Sequence, residues 1–187
     1  SWFTPSRCPR RWTVAAMANS SQSKLLLLQQ MKDISKTSHT TMFSAGFRDD
    51  DNPYTWDVTI FGPEGTPYEA GMFKAELVFP TDYPNQPPKM RFLSEMHHPN
   101  VYAADGRVCI SILHAPGEDN FGYEAAEERW RPIHTAESIL VSVISMIADP
   151  NVDSPANIDA AKMFREDRDN WKKQVKRCVR KSQDDFC

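Results

Sequence analysis

Four prolines within nine residues, Pro80, Pro84, Pro87 and Pro88, split this chain into two stretches of different character. A proline ring removes an amide donor and is excluded from helix interiors and central strands, so residues 79–88 are a stiff, irregular connection. Ahead of it the pattern is that of strands. Segments 42–48, 54–61 and 72–79 are strand-like; the second alternates Tyr54, Trp56, Val58 and Ile60 and ends in the turn Gly62-Pro63-Glu64-Gly65. A short strand at 90–93 follows the prolines, and the four read as an antiparallel meander.

Helical spacing governs both ends. Residues 20–23 cap a first helix through Leu25, Leu28, Met31, Lys32 and Ser35. Thr135 is an N-cap with Glu137 in the first turn, and Ile139, Leu140, Val143, Ile144 and Ile147 form an apolar stripe before Pro150, so this helix packs under the sheet. Ser154-Pro155 is expected to cap a third helix with proline at its first position. Residues 167–183 form a fourth, with Trp171, Val175, Cys178 and Val179 on one face. The class is α+β in one domain, residues 19–187. Residues 1–18 carry Arg7, Arg10 and Arg11 with no acid before Asp33, and are predicted to be a disordered extension. A transit peptide is the alternative there, although an amphipathic arginine helix is missing.

Composition excludes several classes. A net charge of −3 gives no drive toward nucleic acid. The apolar runs, such as Leu25 to Leu28, are far short of the roughly 20 residues that span a bilayer, so no membrane insertion is expected. Cys8, Cys109, Cys178 and Cys187 contain no CxxC pair, which argues against a disulfide scaffold and a structural zinc; no metal site is expected.

Residues 94–134 have no period, and so long a loop in a small domain points to function. It contains His98-Pro99-Asn100, then Val108-Cys109-Ile110-Ser111-Ile112-Leu113, then Trp130-x-Pro132. With Phe79-Pro80-x-x-Tyr83-Pro84-x-x-Pro87-Pro88, these motifs resemble the core of the ubiquitin-conjugating enzyme family over residues 20–184. The resemblance implies the UBC fold, a thioester to ubiquitin on Cys109, and Asn100 as oxyanion donor, loop organiser, or both. His98 and Pro99 are then structural residues of the active-site loop.

Aspartates common in relatives are replaced by Ser154, beside Asp153, and by Ser111 two residues past the cysteine. An insertion carries Glu118, Asp119, Glu124, Glu127 and Glu128. This combination is similar to the G-type subfamily, with an acidic loop at the active site that could hold an acceptor lysine. The resemblance also places ligase contacts at Asn85, Pro132 and Ile133. Two departures stand out: Asn100 and Cys109 are nine apart where relatives have eight, and His97 replaces an aromatic.

The expected partners are ubiquitin, the activating enzyme, a RING-type ligase and substrate proteins. The expected product is proteasome-targeting polyubiquitin. No cofactor is expected on this chain, because the activating enzyme consumes the ATP. The expected location is the cytoplasm, with recruitment to the endoplasmic-reticulum surface or a nuclear pool besides. Competing readings are a conjugating enzyme for another ubiquitin-like modifier, a non-catalytic ubiquitin-binding scaffold, whose mark is a missing cysteine, and a cysteine hydrolase pairing Cys109 with His98, His114 or His134.

Overall fold

The computed structural model describes residues 11–36, 41–115 and 128–186, with side chains from residue 21 onward. Helix α1 spans Arg11–Lys36. It begins well before residues 20–23, so the expected extension is helical over 11–18; Ala15, Ala16, Met17 and Ala18 have high intrinsic helix propensity, which the basic, proline-bearing start of the segment masks. Residues 1–10 lie outside the described residues.

Strands β1 (Phe43–Asp49), β2 (Asn52–Phe61), β3 (Met72–Val78) and β4 (Lys89–Phe92) pair in sequence order as an antiparallel meander. Val58 lies opposite Ala45 on one side and Ala75 on the other. This register sends Trp56, Val58 and Ile60 into the core, as the period-2 pattern requires. On the other face, Arg48 pairs with Asp57 and Glu76, and Arg91 reaches Glu76 at 2.8 Å, so one row of charges crosses all four strands. Hydrogen bonds from Arg91 and then Arg48 hold the Glu76 carboxyl below the ordinary carboxylate range.

Helices α2 (Ala136–Ala148), α3 (Ile158–Glu166) and α4 (Arg168–Asp184) complete the chain. Thr135 caps α2 in a reciprocal box with Ser138. The expected cap at Ser154-Pro155 is incorrect. Asn157 caps α3, its Oδ1 accepting from the Ala160 amide at 3.0 Å. Ser154 instead belongs to a turn in which its amide donates to Asn151 Oδ1. Leu27 and Met31 of α1, the sheet, the α2 stripe and Trp171, Val175 and Cys178 of α4 share one core. A chain of rings, Trp56, Phe79, Tyr83 and Trp130, at centroid spacings of 4.9, 4.9 and 5.7 Å, runs through the proline-rich connection and anchors it.

Candidate active site

Three consecutive residues hold the last turn of α2, the segment that joins it to α3, and the α3 cap. His98 is fully buried; its Nε2 lies 3.1 Å from the Met146 carbonyl, to which it donates, while Nδ1 accepts from the Asn100 amide at 3.0 Å. Burial pushes its imidazole down to about 4, so it is neutral. The Pro99 carbonyl accepts from the Asn157 amide at 2.8 Å. The Asn100 side chain accepts from the Asn151 amide at 2.9 Å and donates to the Asn151 carbonyl at 2.8 Å and the Ser154 carbonyl at 3.5 Å. Asp153 and Ser154 are thereby fixed near the loop that carries the cysteine.

Cys109 donates its amide to the Asn100 carbonyl at 3.0 Å, next to an antiparallel bridge between Val101 and Val108. The stretch between Asn100 and Cys109 contains the exposed turn at 103–105, which Tyr102 and Arg107 close at 2.9 Å. The nine-residue spacing leaves Asn100 and Cys109 joined.

The half-buried thiol lies between two cavities. One, of about 180 Å³, is lined by Asn100, Cys109, Ser111, Asp149, Asn151 and Ser154. The other, of about 260 Å³, includes Lys89, Tyr102, Arg107, Cys109 and His114. His114 Nε2 is 3.7 Å from the sulfur. The charge of Cys109, then burial, push the Tyr102 hydroxyl above the usual tyrosine range. Of the two free cysteines among the described residues, Cys178 is 2% exposed and belongs to the core.

Ser154 lines the cavity at the thiol, whereas its exposed neighbour Asp153 does not. Asp149, which the spacing of motifs did not single out, is the carboxylate that does. Glu118, Asp119, Glu124 and Glu127 lie outside the described residues; Glu128 is exposed. Asn85, Pro132 and Ile133 are all exposed, Ile133 at 74%. Their two loops are tied by Trp130 Nε1, which donates to the Pro84 carbonyl at 2.7 Å. Of the three histidines a hydrolase would draw on, His98 has both nitrogens engaged in holding loops, His134 packs on the Trp130 ring, and His114 alone reaches the thiol.

Comparison with known proteins is decisive on family. The family model described as ubiquitin-conjugating enzyme matches residues 27–179. Ubiquitin-conjugating enzyme E2 7 of Arabidopsis thaliana is 58% identical over 166 residues, 89% of this chain and 99% of that protein. Human ubiquitin-conjugating enzyme E2 G2 is 56% identical over 138 residues, covering 74% of this chain and 83% of that one. The solved structure of human ubiquitin-conjugating enzyme E2 G1 superposes with a TM-score of 0.59 at 53% identity, covering 68% of this chain and 95% of that one. On sequence and on structure alike, then, the chain belongs to the ubiquitin-conjugating enzyme family, within its G-type subfamily, as a transferase that works through a cysteine thioester.

Proposed function

We propose that Cys109 takes ubiquitin from the activating enzyme as a thioester and delivers it to a lysine amine of a substrate or of another ubiquitin. The observation that carries this reading is the position of Cys109, half-buried between two cavities and joined to Asn100 through its amide. A thiol suits the task because exchange between thioesters is nearly isoenergetic and keeps the acyl carbon activated for an amine.

The attacking lysine must shed a proton, which an adjacent acceptor favours. Ser154 and Asp149 line the smaller cavity, with Asp153 beside it, and the acidic loop of Glu118, Asp119, Glu124, Glu127 and Glu128 is the wider field that holds the ammonium. Asn100 braces the 151–154 turn at rest. Its contact to the Ser154 carbonyl, at 3.5 Å, is weak enough to exchange for the oxyanion that forms during aminolysis.

A RING-type ligase docks on Asn85, Pro132 and Ile133, and the product is proteasome-targeting polyubiquitin made with ligases of endoplasmic-reticulum quality control. The chain holds no cofactor of its own; ATP is consumed by the activating enzyme. It works in the cytoplasm, at the endoplasmic-reticulum surface when a partner recruits it.

A charging assay tests the reading: incubate the protein with activating enzyme, ATP and ubiquitin, and run a non-reducing gel beside thiol-treated and Cys109→Ala samples. A thiol-labile added band that needs Cys109 supports it. Loss of that band only when ubiquitin is exchanged for other modifiers supports ubiquitin as the cargo. A band retained by Cys109→Ala would sink the assignment.

A further inference from the structure

Cys109 is flanked by two segments, and only one of them belongs to the motif around it. On one side its amide meets Asn100. On the other, the 106–108 segment runs antiparallel to β4: Phe92 donates to the Gly106 carbonyl at 2.8 Å, Val108 donates to the Met90 carbonyl at 3.0 Å, and Arg91 pairs with Arg107. Moving two residues along each segment from that last pair, in opposite directions, brings Lys89 opposite Cys109. Positions two apart along a strand share a face, so extending this register puts the Lys89 and Cys109 side chains on the same face as those of Arg91 and Arg107.

Both residues line the cavity of about 260 Å³. Among the described residues no other lysine lines either cavity at Cys109. Lys89 is exposed, and among the described residues no hydrogen bond or ion pair holds its amine, whereas Lys74 and Lys181 are engaged with Asp185 and Glu95.

From this register we infer that Lys89 is a self-acceptor: in the absence of another amine, its Nζ attacks the thioester carried by Cys109. The Nζ–acyl bond forms, the acyl–sulfur bond breaks, the sulfur leaves as thiolate, and the surplus amine proton passes to that thiolate or to water. The product is an isopeptide between the ubiquitin carboxyl terminus and Lys89. It would thread the ubiquitin tail through the cavity beside the thiol and obstruct reloading, so an enzyme charged without a substrate would retire itself. Proximity makes the step effectively unimolecular. The inference rests on Cys109 being the thioester residue.

The test uses the whole protein with activating enzyme, ATP and ubiquitin whose lysines are all arginine, without ligase or substrate. Non-reducing gels read the thioester, reducing gels read the thiol-stable adduct, and peptide mass spectrometry locates the modified lysine. The thiol-stable adduct is expected at Lys89, at a rate independent of enzyme concentration and rising between pH 7 and 9, because only the neutral amine attacks. Lys89→Arg keeps the charge and removes the nucleophile, so the adduct should form at least about tenfold more slowly. Lys172→Arg, on the exposed side of α4, should change nothing. A thioester that forms while the adduct maps to another lysine, or survives Lys89→Arg, overturns this inference alone. Absence of any thioester overturns the carrier reading and this inference together.

Discussion

The Asn100 side chain and the Asn151 backbone form a reciprocal pair, each amide donating to the other's carbonyl, at 2.8 and 2.9 Å. The pair closes the turn that presents Ser154 to the thiol cavity. Replacing Asn100 by Ala removes its bonds to three backbone groups, the Asn151 amide and the Asn151 and Ser154 carbonyls, a loss of about 1–3 kcal/mol in unfolding stability. Thermal melts should show that loss. Single-turnover discharge to free lysine should slow more than loading does, because an oxyanion donor acts only in the second step. Equal slowing of both steps would leave Asn100 as a loop brace alone.

Acid should act on the fold through His98. Its native imidazole sits at about 4 against 6.5 for an ordinary histidine. Between those values the unfolded chain binds a proton that the native state refuses, so stability falls as pH drops from 6.5 toward 4. Above pH 6.5 the residue is neutral in both states and contributes nothing to the slope. The loss is roughly 3 kcal/mol across that window. Urea midpoints for wild type and His98→Gln measure it. The variant should be weaker at pH 7, yet show a shallower decline between pH 6.5 and 4.5.

Gly106 and Gly65 both have positive φ, at 73° and 72°, but only Gly106 is crowded. A Cβ there would stand 2.2 Å from the Phe92 carbonyl oxygen, whereas at Gly65 it would meet nothing within 4 Å. Gly65→Ala should therefore cost only the left-handed strain, about 1–2 kcal/mol. Gly106→Ala should cost clearly more and should also slow loading, because the shifted backbone leads directly to Cys109. Equal melting temperatures for the two variants would count against this account.

Serine at position 109 keeps the geometry of the site and makes the acyl bond an oxyester, which amines attack far less readily. Cys109→Ser should accumulate a ubiquitin adduct that survives thiol treatment and breaks in mild alkali. Its discharge to lysine should be below one-hundredth of the wild-type rate, or about 3 kcal/mol in barrier. A band that thiols still remove would point to another cysteine.

The elements that were legible in the sequence are those set by local physics. Alternation placed Trp56, Val58 and Ile60 on one face, so β2 and its neighbours were visible. Thr135 followed by an apolar stripe marked α2, and Trp171, Val175 and Cys178 marked the buried side of α4. Four spaced motifs carried the family and singled out Cys109. Where local signals competed, reading failed: Ser154-Pro155 and Asn157 are both plausible caps, and the choice follows from the bond between Pro99 and the Asn157 amide, across more than fifty residues.

By itself, then, the sequence determined the order of strands and helices, the thiol, and the motif at residues 98–100, because periodicity, capping and motif spacing are properties of neighbouring residues. Only the tertiary structure decided what surrounds the thiol. Lys89 comes to share a cavity with Cys109 through the register of β4 with the 106–108 segment, and Asp149 and Ser154 share the other through the hold of Asn100 on Asn151. Such juxtapositions are set by hydrogen-bond register and packing between segments 20 to 50 residues apart, for which the linear chain carries no local sign.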